Sequence, residues 1–463
     1  MKKILLLNPP GDKKYFRDYY CTKVSKADYY YHPLDLVYLT GRLSGSFKVA
    51  VIDAIADKLG EKECEQKIID ENPDYIISLV SSPSLIADLD FLKNIKETAP
   101  NIEIIATGDI YRELKASALE KQPFVDAVLL DFSTDDIVRY LLRENDAKIK
   151  NIIYRSANGI IEGEEDHQSG VFDIPVPRWE LFNLENYSFP FSRRKNFVSL
   201  LTDFGCAFKC DFCPVSTLGF KLRDLDSVIQ ELRFLKKLGT RELFIRDQTF
   251  GVNKSRTIEL CDLMVKEKFN FSWSCFSRVD VLSEDVLKAM RAAGCHTVMF
   301  GIESADEELL KSHKKNINLS NIESAVNLIK KNGLRTVGTF ILGFPKETRE
   351  SVLKTIDLAK SLNLDFASFN IATPRFGTEF RKEALENNWV NSEVKVMESA
   401  DSAPVWINQE LSNDEIFELK NFAVKSFYLR PSYILRRLAG FRSFEEIRTT
   451  LKQALKIIKK VKI

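Results

Sequence analysis

The sequence predicts an α/β protein in which two runs of parallel β/α units are followed by a mostly helical segment. Two observations support this class. Almost continuously apolar strands alternate with helical patterns in the first part of the chain, and six further strand and helix units follow in series. We expect a doubly wound, Rossmann-like sheet in 1–150, a hairpin and linker in 151–195, a partial TIM-like (β/α)6 barrel in 196–380 and a mostly helical region in 381–463.

The first run supplies the strands of the N-terminal sheet. Each predicted strand is a short apolar stretch, and the helical patterns lie between them. The strands are expected at 3–7, 49–53, 75–80, 102–107 and 125–130, and the helices at 34–43, 61–71 and 88–98. Sheets of this type bind ligands at the carboxyl ends of their strands. The loops 8–12, 81–84 and 107–110 are therefore candidate ligand loops.

A hairpin and a linker separate the two runs. Residues 151–165 carry Asn158-Gly159 between two apolar stretches, which is typical of a hairpin turn. The segment 166–195 contains three prolines, Pro175, Pro177 and Pro190, and is interpreted as a linker.

The second run predicts the partial barrel. Its strands are expected at 197–202, 242–246, 271–276, 297–302, 336–342 and 366–371, with helices at 226–238, 254–268, 283–293, 319–332 and 347–361. Active sites of such barrels lie at the carboxyl ends of the strands. The loop after the first strand therefore belongs to the candidate active site.

Composition restricts the function classes. The apolar fraction is 44%, and the net charge of +1 gives no electrostatic reason to expect nucleic-acid binding. The start of the chain does not resemble a signal peptide and no stretch is long enough to span a membrane, so we expect a cytoplasmic protein. The basic, amphipathic tail from Leu451 to Ile463 predicts either a docked terminal helix or a helix that contacts a membrane surface or an acidic substrate.

Three cysteines, Cys206, Cys210 and Cys213, form a C-x3-C-x2-C cluster after the first barrel strand. A structural zinc site usually needs four ligands in two pairs, and there is no second pair here. A disulfide framework is disfavoured, because the five other cysteines are scattered along the chain at positions 21, 64, 261, 275 and 295. The spacing favours a [4Fe-4S] cluster in which three irons bind cysteine and the fourth stays open for chemistry.

This cysteine loop, with the aromatic Phe212 before the last cysteine, resembles that of the radical S-adenosylmethionine (SAM) superfamily. The resemblance implies that SAM chelates the open iron and is cleaved by an electron from the cluster. The 5′-deoxyadenosyl radical then abstracts hydrogen from a small-molecule substrate. It also implies an electron donor such as flavodoxin or ferredoxin. The cofactor supplies the chemistry, and the protein positions it and excludes water.

The resemblance places further residues beside SAM. Glu303 and Ser304 end the fourth barrel strand in G-I-E-S, and their alternative role is helix capping by Ser304 or Asp306. Gly343 and Pro345 follow the fifth strand, where the alternative is an ordinary turn with Glu347 complementing the helix dipole.

Asp247 and Arg278 end the second and third strands and are also expected at the SAM site. Arginine suits bidentate binding of the SAM carboxylate. The alternative for Arg278 is a structural pair with Asp280 or Asp247. Residues 373–378, after the sixth strand, are expected to line the substrate side.

The N-terminal part resembles the cobalamin-binding domain of one subgroup of this superfamily, through N-P-P, H-P-L-D-L-V-Y-L-T-G-R-L, V-I-D-A and N-P-D-Y-I-I-S. That subgroup includes hopanoid-modifying enzymes and the anaerobic magnesium-protoporphyrin cyclase. The residues implied to contact cobalamin are Asn8, Pro9, Ser81, Ser82, Thr107 and Gly108.

Two departures leave cobalamin open as a cofactor. After the fourth strand the subgroup has Gly-Gly-x-His, and the chain has T-G-D-I at Thr107–Ile110; after the fifth it has a Gly-Glu-rich turn, and the chain has L-L-D-F-S-T-D-D. There is also no D-x-H-x-x-G segment. No axial histidine ligand is therefore assigned, and His32 is expected to cap or pack. The leading hypothesis is a cobalamin-dependent methyltransferase acting on an unactivated carbon. The alternatives are an oxidative cyclase or rearrangement enzyme without functional cobalamin and, more remotely, a non-catalytic cofactor-binding sensor.

Overall fold

A computed structural model of the protein describes residues 1–18, 22–25, 29–144, 149–166, 169–390 and 406–439. The elements of the N-terminal region are, in chain order, Lys3–Asn8 (β1), Tyr15–Phe16 (β2), Lys23–Val24 (β3), Leu34–Leu43 (α1), Lys48–Asp53 (β4), Glu61–Glu71 (α2), Tyr75–Leu79 (β5), Leu85–Thr98 (α3), Glu103–Thr107 (β6), Tyr111–Leu114 (α4), Ala116–Lys121 (α5), Ala127–Leu129 (β7), Asp136–Leu141 (α6), Ile152–Ser156 (β8) and Gly159–Glu162 (β9).

The N-terminal sheet has the strand order β4-β1-β5-β6-β7-β8-β9. The strands from β4 to β7 pair in parallel, and β8 and β9 add an antiparallel hairpin at the edge. The five predicted parallel strands and the predicted hairpin are confirmed. Chain order reverses between β1 and β5, which is the switch point where doubly wound sheets bind ligands.

The remaining elements are Gly170–Phe172 (β10), Val198–Leu200 (β11), Asp203–Gly205 (β12), Phe220–Arg223 (β13), Leu225–Lys237 (α7), Glu242–Ile245 (β14), Lys254–Lys266 (α8), Ser272–Ser277 (β15), Glu284–Ala292 (α9), Cys295–Glu303 (β16), Glu307–Ser312 (α10), Leu319–Lys331 (α11), Arg335–Leu342 (β17), Arg349–Ser361 (α12), Phe366–Ile371 (β18), Glu379–Glu386 (α13), Asn413–Tyr428 (α14) and Pro431–Ala439 (α15).

The six predicted barrel strands are confirmed. They form an all-parallel sheet in the order β11-β14-β15-β16-β17-β18, with β11 and β18 at its two edges, so the barrel is open. Parallel pairing brings the carboxyl ends of all six strands to one rim. The segments that follow these strands carry the candidate SAM residues.

One apolar core extends from the N-terminal sheet into the barrel. Helix α1 contributes to this core, and the hydroxyl of its Tyr38 accepts a hydrogen bond from the backbone N–H of Leu201 at 2.8 Å. Trp179, from the segment expected to be a linker, is fully buried in the same core. These contacts fix the first barrel strand against the N-terminal region.

The C-terminal region is mostly helical over its described residues, which end in α14 and α15. No helix in the described ranges is long and apolar enough to cross a membrane. The basic tail predicted at 451–463 lies outside the described residues, so its expected membrane contact stays a prediction.

Candidate active site

The cysteine loop is an excursion between two short antiparallel strands, β12 and β13. At its base, the backbone N–H of Cys206 donates to the carbonyl of Gly219 at 2.9 Å. Gly205 has a φ of +82°, and a Cβ at this position would lie 2.0 Å from the Gly219 carbonyl oxygen. Only glycine fits there, so the two ends of the loop are held together at one point.

The three cysteines of this loop lie in largely buried surroundings. Cys206 and Cys210 are buried, and Cys213 is half-buried. In the part of the chain that the structure describes, no three His, Cys, Asp or Glu side chains form a site for one metal ion. A [4Fe-4S] cluster does not require such convergence, because each cysteine binds a different iron.

The protonation of the thiols affects cluster assembly. Burial raises the pKa of Cys206 and Cys210, and it raises the pKa of Cys213 to about 12. Iron binds the thiolate form, so assembly must release these protons. Lys315 and Arg278 act in the opposite direction on Cys210, because their positive charges favour its thiolate.

Arg278 lies directly beside the cluster loop. Its guanidinium stacks on the ring of Phe208 at 4.0 Å, and Nη1 is 3.7 Å from the sulfur of Cys210. Nε donates to Asp280 at 2.8 Å, and Nη2 donates to the carbonyl of Lys315. The expected pair with Asp280 is confirmed. The predicted contact with the SAM carboxylate stays a prediction.

Glu303 forms a buried ion pair with Lys315 at 2.9 Å. Its φ of +68° is left-handed, and the β16–β17 register shifts between Gly301 and Glu303. Such strain is typical of functional sites. Burial alone lowers the pKa of Lys315, but the nearby Glu303 and Cys210 outweigh it, and the net shift is upward. The pair therefore places a carboxylate and an ammonium next to the cluster loop.

Asp247 is buried just after β14 and holds the backbone after β11. It accepts the N–H groups of Thr202 at 2.6 Å and Asp203 at 3.2 Å. Burial raises the pKa of Asp247 to about 6, and burial next to Asp247 raises that of Asp203 well above its usual range. Oδ1 of Asp203 has no hydrogen-bond partner among the described residues. The SAM contact predicted for Asp247 stays a prediction.

Ser304 takes part in capping. Its hydroxyl accepts the N–H of Asp306 at 3.1 Å and lies 3.2 Å from the hydroxyl of Thr355. Asp306 is the N-cap of α10 and accepts two backbone N–H groups of its first turn. The capping role expected for this segment is confirmed, and it leaves the predicted SAM contact of Ser304 untested.

Gly343 forms a tight turn after β17. Its φ is +85°, and a Cβ there would lie 2.8 Å from Ile416 of α14. Its N–H donates to Oε2 of Glu347 at 2.6 Å, so Glu347 binds the turn itself. Burial raises the pKa of Glu347 to about 8. Pro345 is buried in the same turn, and the SAM proximity predicted for Gly343 and Pro345 stays a prediction.

The residues predicted to contact cobalamin lie together at the carboxyl edge of the N-terminal sheet. All six are buried: Asn8, Pro9, Ser81, Ser82, Thr107 and Gly108. Arg17 donates to the side-chain oxygen of Asn8 at 2.9 Å and to the carbonyl of Pro9 at 2.7 Å. Both the N–H and the hydroxyl of Ser82 donate to Asp109, at 3.0 and 2.7 Å.

These contacts determine whether the predicted residues can bind cobalamin as they are arranged here. A Cβ on Gly108 would lie 1.7 Å from the carbonyl oxygen of Val80, so this loop is closely packed. Arranged in this way, the residues do not fit cobalamin, because Asn8 and Pro9 already bind Arg17, Ser81 binds Asp88, and Ser82 binds Asp109. We therefore assign no reaction step to cobalamin. The packing role expected for His32 is confirmed, since its ring stacks on Tyr187 at 4.0 Å.

The comparisons with known proteins agree with this geometry. The profile of the radical SAM superfamily matches residues 202–359, which include the cysteine loop and Glu303. An uncharacterized methyltransferase of Pyrococcus horikoshii is 32% identical over 457 residues, covering 96% of this chain and 96% of that protein. The chain belongs to the radical SAM superfamily. The predicted [4Fe-4S] cluster and SAM are the cofactors of this superfamily.

A second relative and a solved structure also match most of this chain. An anaerobic magnesium-protoporphyrin IX monomethyl ester cyclase of Rubrivivax gelatinosus is 27% identical over 360 residues, covering 74% of this chain and 64% of that protein. The cobalamin-dependent SAM radical enzyme OxsB matches with a TM-score of 0.70 and 14% identity, over 99% of this chain and 72% of OxsB.

The radical SAM methyltransferase TsrM from Kitasatospora setae, solved with cobalamin and a [4Fe-4S] cluster, matches with a TM-score of 0.65 and 18% identity. The match covers 83% of this chain and 78% of TsrM. At these identities, the two structures show a shared fold. The radical SAM fold of an N-terminal doubly wound sheet followed by a partial barrel is thus confirmed.

Sequence reasoning missed one segment of this radical SAM site, residues 313–315. Lys315 reaches Glu303, and its carbonyl accepts from Arg278. Nδ1 of His313 lies 3.0 Å from the carboxylate of Asp211, inside the cysteine loop. The only signal in the sequence is a basic H-K-K run shortly after G-I-E-S, which by itself resembles an exposed helix end.

His313 connects the cysteine loop with the Gly343 turn. Its ring lies tilted against that of Phe344, with centroids 4.3 Å apart, and meets Phe212 edge-on at 6.2 Å. The backbone N–H of Asp211 also donates to the carbonyl of His313, at 3.4 Å. Phe212, the aromatic predicted beside SAM, therefore packs against His313, which follows α10, and against Phe344, which follows β17. These contacts suggest that His313 positions this loop.

Replacing His313 with alanine is expected to lower kcat/KM for SAM cleavage by about tenfold. This is the effect expected from losing one hydrogen bond to a carboxylate, here that of Asp211. The iron content after anaerobic reconstitution should equal that of the native protein, because the three cysteines are intact. His313→Gln should restore part of the activity. The measurement is 5′-deoxyadenosine formation together with the electron paramagnetic resonance (EPR) spectrum of the reduced cluster, with and without SAM.

The matched control is Ser312→Ala, which removes an exposed hydroxyl bonded to the Leu309 carbonyl. This variant should behave like the native protein. If His313→Ala leaves both kcat/KM and the SAM-induced change in the EPR spectrum unaltered, His313 does not position the loop.

Proposed function

We propose that this radical SAM enzyme transfers a methyl group to an unactivated carbon of a small-molecule substrate. The observation that carries the proposal is the similarity to a methyltransferase over nearly the whole chain, combined with a cysteine loop surrounded by groups suited to SAM. The whole-length match matters because the N-terminal sheet and the C-terminal helices are included, as well as the common radical SAM core.

The chain offers a binding partner for each charged group of SAM. The guanidinium of Arg278, next to Cys210, suits the SAM carboxylate. Glu303 suits the SAM ammonium or the ribose hydroxyls, because its carboxylate already binds the ammonium of Lys315. Lys315 can then turn to the SAM carboxylate, so that charge in this buried site stays balanced.

The bound cluster would be held by Cys206, Cys210 and Cys213 and would supply the electron that cleaves SAM to methionine and the 5′-deoxyadenosyl radical. The protein then has to keep the radical away from water. Phe212 and Phe344 lie 5.3 Å apart beside the cysteine loop and form an apolar wall there. Such a wall favours transfer of hydrogen from substrate carbon over side reactions with solvent.

The substrate side is proposed to include residues 373–378 after β18. Phe376 packs into the apolar core of the N-terminal region. Arg375 donates to the carbonyl of Thr22 at 2.9 Å. This segment thus lies at the junction of the barrel and the N-terminal region, where a substrate can reach the barrel rim. A flavodoxin or ferredoxin as electron donor and a cytoplasmic location also belong to the proposal.

The cyclase relative favours a second candidate, an oxidative cyclisation without methyl transfer. The two reactions differ in their products. Methyl transfer consumes one SAM for the radical and one for the methyl group, and it yields 5′-deoxyadenosine together with S-adenosylhomocysteine. Cyclisation yields 5′-deoxyadenosine alone.

The test begins with the protein reconstituted anaerobically with iron and sulfide, then reduced and given SAM. We expect 5′-deoxyadenosine even without substrate. Adding a small-molecule extract of the source cells and SAM with a deuterated methyl group should yield S-adenosylhomocysteine and a labelled small molecule. An increase in 5′-deoxyadenosine on addition of the extract, without S-adenosylhomocysteine, would favour the cyclase. If no 5′-deoxyadenosine forms under any condition, both candidates are wrong.

A further inference from the structure

The amino-terminal ends of the barrel strands form a surface opposite the cysteine loop, which we call the basal face. Because the strands are parallel, these ends lie together, and the helices that return along the barrel also end there. Exposed basic residues shortly before β11 and β14 are Arg193, Arg194, Lys195 and Arg241. Basic residues in the last turns of the barrel helices are Lys236, Lys237, Lys266, Arg291, Lys330, Lys331 and Lys360.

The charge of the basal face exceeds what the helices require. Basic residues in a last turn stabilise the helix dipole, which accounts for the second group but not for the residues before β11 and β14. Two carboxylates on this face already have partners. Glu267 pairs with Arg233 at 2.8 Å, and Asp365 accepts the N–H of Thr336 at 2.9 Å. Among its described residues, the basal face therefore has a net positive charge.

Three arginines of this face act on one buried pair beneath it. His296 and Glu242 are both buried, and Nε2 of His296 lies 2.8 Å from Oε1 of Glu242. Burial, followed by the positive charges of Arg193, Arg335 and Arg291, lowers the pKa of His296 to about 2. These arginines come from three different segments, so the positive charge is concentrated on the basal face.

Helix α15 lies across the β18 side of the basal face. The hydroxyl of Tyr433 donates to the carbonyl of Asp365, just before β18, at 2.9 Å. Nη2 of Arg436 donates to the carbonyl of Leu364 at 2.8 Å. Since these two bonds hold one side of α15 against the barrel, its opposite side faces outward.

Large apolar side chains protrude from the same surface. Leu429, Ile434 and Leu435, in and just before α15, are 51%, 42% and 67% exposed. Leu238 and Val265, at the ends of α7 and α8, are also exposed. Apolar side chains that protrude among basic ones are typical of helices that lie in a membrane interface.

We propose that the basal face docks on an anionic lipid bilayer, with Leu429, Ile434 and Leu435 inserted among the headgroups and the surrounding basic residues bound to lipid phosphates. Charge complementarity supports this partner, because anionic membrane surfaces attract clustered lysines and arginines. The protruding apolar side chains favour lipid over nucleic acid or an acidic protein, because a bilayer offers anionic headgroups directly above hydrocarbon.

Docking in this way leaves the active-site rim accessible. The six residues of β15 separate the two ends of the barrel by about 20 Å. The cysteine loop therefore faces away from the bilayer, toward a small-molecule substrate and an electron donor. The inference goes beyond the proposed function, because it concerns the opposite end of the barrel.

The experiment mixes the full-length protein with vesicles of phosphatidylserine and phosphatidylcholine, or of phosphatidylcholine alone, and measures binding by co-sedimentation. We expect binding only to the anionic vesicles, and weaker binding as the salt concentration rises. The double variant Ile434→Ser/Leu435→Ser should bind at least about tenfold more weakly, because it lacks the inserted apolar surface. Arg194→Gln/Arg241→Gln should bind about 25-fold more weakly, from about fivefold for each lost charge.

Matched controls change exposed residues outside the basal face. Val171→Ser removes an exposed apolar side chain from β10, and Lys62→Gln/Lys67→Gln removes two exposed charges from α2. Both should bind like the native protein, and circular dichroism should show that all variants are folded. 5′-Deoxyadenosine formation should be equal in all variants, so its absence from the native protein would contradict the proposed function alone.

Three results would overturn the docking proposal. The first is no binding of the native protein to the anionic vesicles. The second is binding that is lost in the arginine variant but kept in Ile434→Ser/Leu435→Ser, which would indicate an anionic macromolecule as the partner instead of lipid. The third is unchanged binding in both double variants, since the contact would then lie elsewhere in the chain, such as the tail at 451–463.

Discussion

Replacing Cys210 with alanine is expected to abolish SAM cleavage, lowering 5′-deoxyadenosine formation by at least about 1,000-fold, or about 4 kcal/mol of activation free energy. Cys210 is one of three cluster ligands and lies next to both Arg278 and Lys315. Its loss leaves an iron without a protein ligand and removes the group around which the SAM site is arranged. The measurement is anaerobic 5′-deoxyadenosine formation, with iron content and the EPR spectrum of the reduced protein.

Cys64→Ala is the matched control. Cys64 is buried on α2 in the N-terminal region and is not part of the cysteine loop. Its replacement should cost some stability through a small cavity and leave the cluster spectrum unchanged. A Cys210→Ala protein that keeps the native EPR spectrum and rate would show that the cluster is bound elsewhere.

The second large effect is on stability. Replacing Arg223 with alanine is expected to lower the free energy of unfolding by roughly 3–5 kcal/mol, because it leaves the carboxylate of Glu231 buried without its partner. Both side chains are fully buried, and Glu231 also accepts the indole N–H of Trp179 at 2.8 Å. Arg223 ends β13, the strand to which the cysteine loop returns. Urea unfolding, followed by circular dichroism, measures the change.

The surface pair of Arg233 and Glu267 provides the control for this prediction. These side chains are 52% and 34% exposed. Arg233→Ala should therefore leave the free energy of unfolding nearly unchanged. Equal losses in the two variants would mean that burial does not determine the strength of the Arg223–Glu231 pair.

Much of the fold could be predicted from local patterns. The apolar strands of both sheets and most of the helices are defined by periodicity over short stretches, and the structure confirms their order. The cysteine loop was recognisable because its ligands lie within eight residues of one another. The hairpin at Asn158-Gly159 was also predicted, but its position on the edge of the N-terminal sheet depends on pairing of β7 with β8.

The polar contacts of the site could not be predicted in the same way. Glu303 and Lys315 are separated by twelve residues and a short helix, and Arg17 and Asp88 by seventy-one residues. Glu303 was a candidate from its motif, but in the sequence Lys315, Arg17 and Asp88 cannot be distinguished from charged residues of a solvated surface. Their pairing follows only from folding, which removes them from water, where a charge requires a partner.

The sequence by itself therefore determined the radical SAM cysteine loop, the order of strands and the rim on which the site lies, because these follow from short-range spacing and from the parallel sheet. Only the tertiary structure decided which charges meet at that rim and that Arg17 fills the carboxyl edge of the N-terminal sheet. The physical reason is that burial and pairing of charged groups depend on long-range packing, which no local pattern encodes.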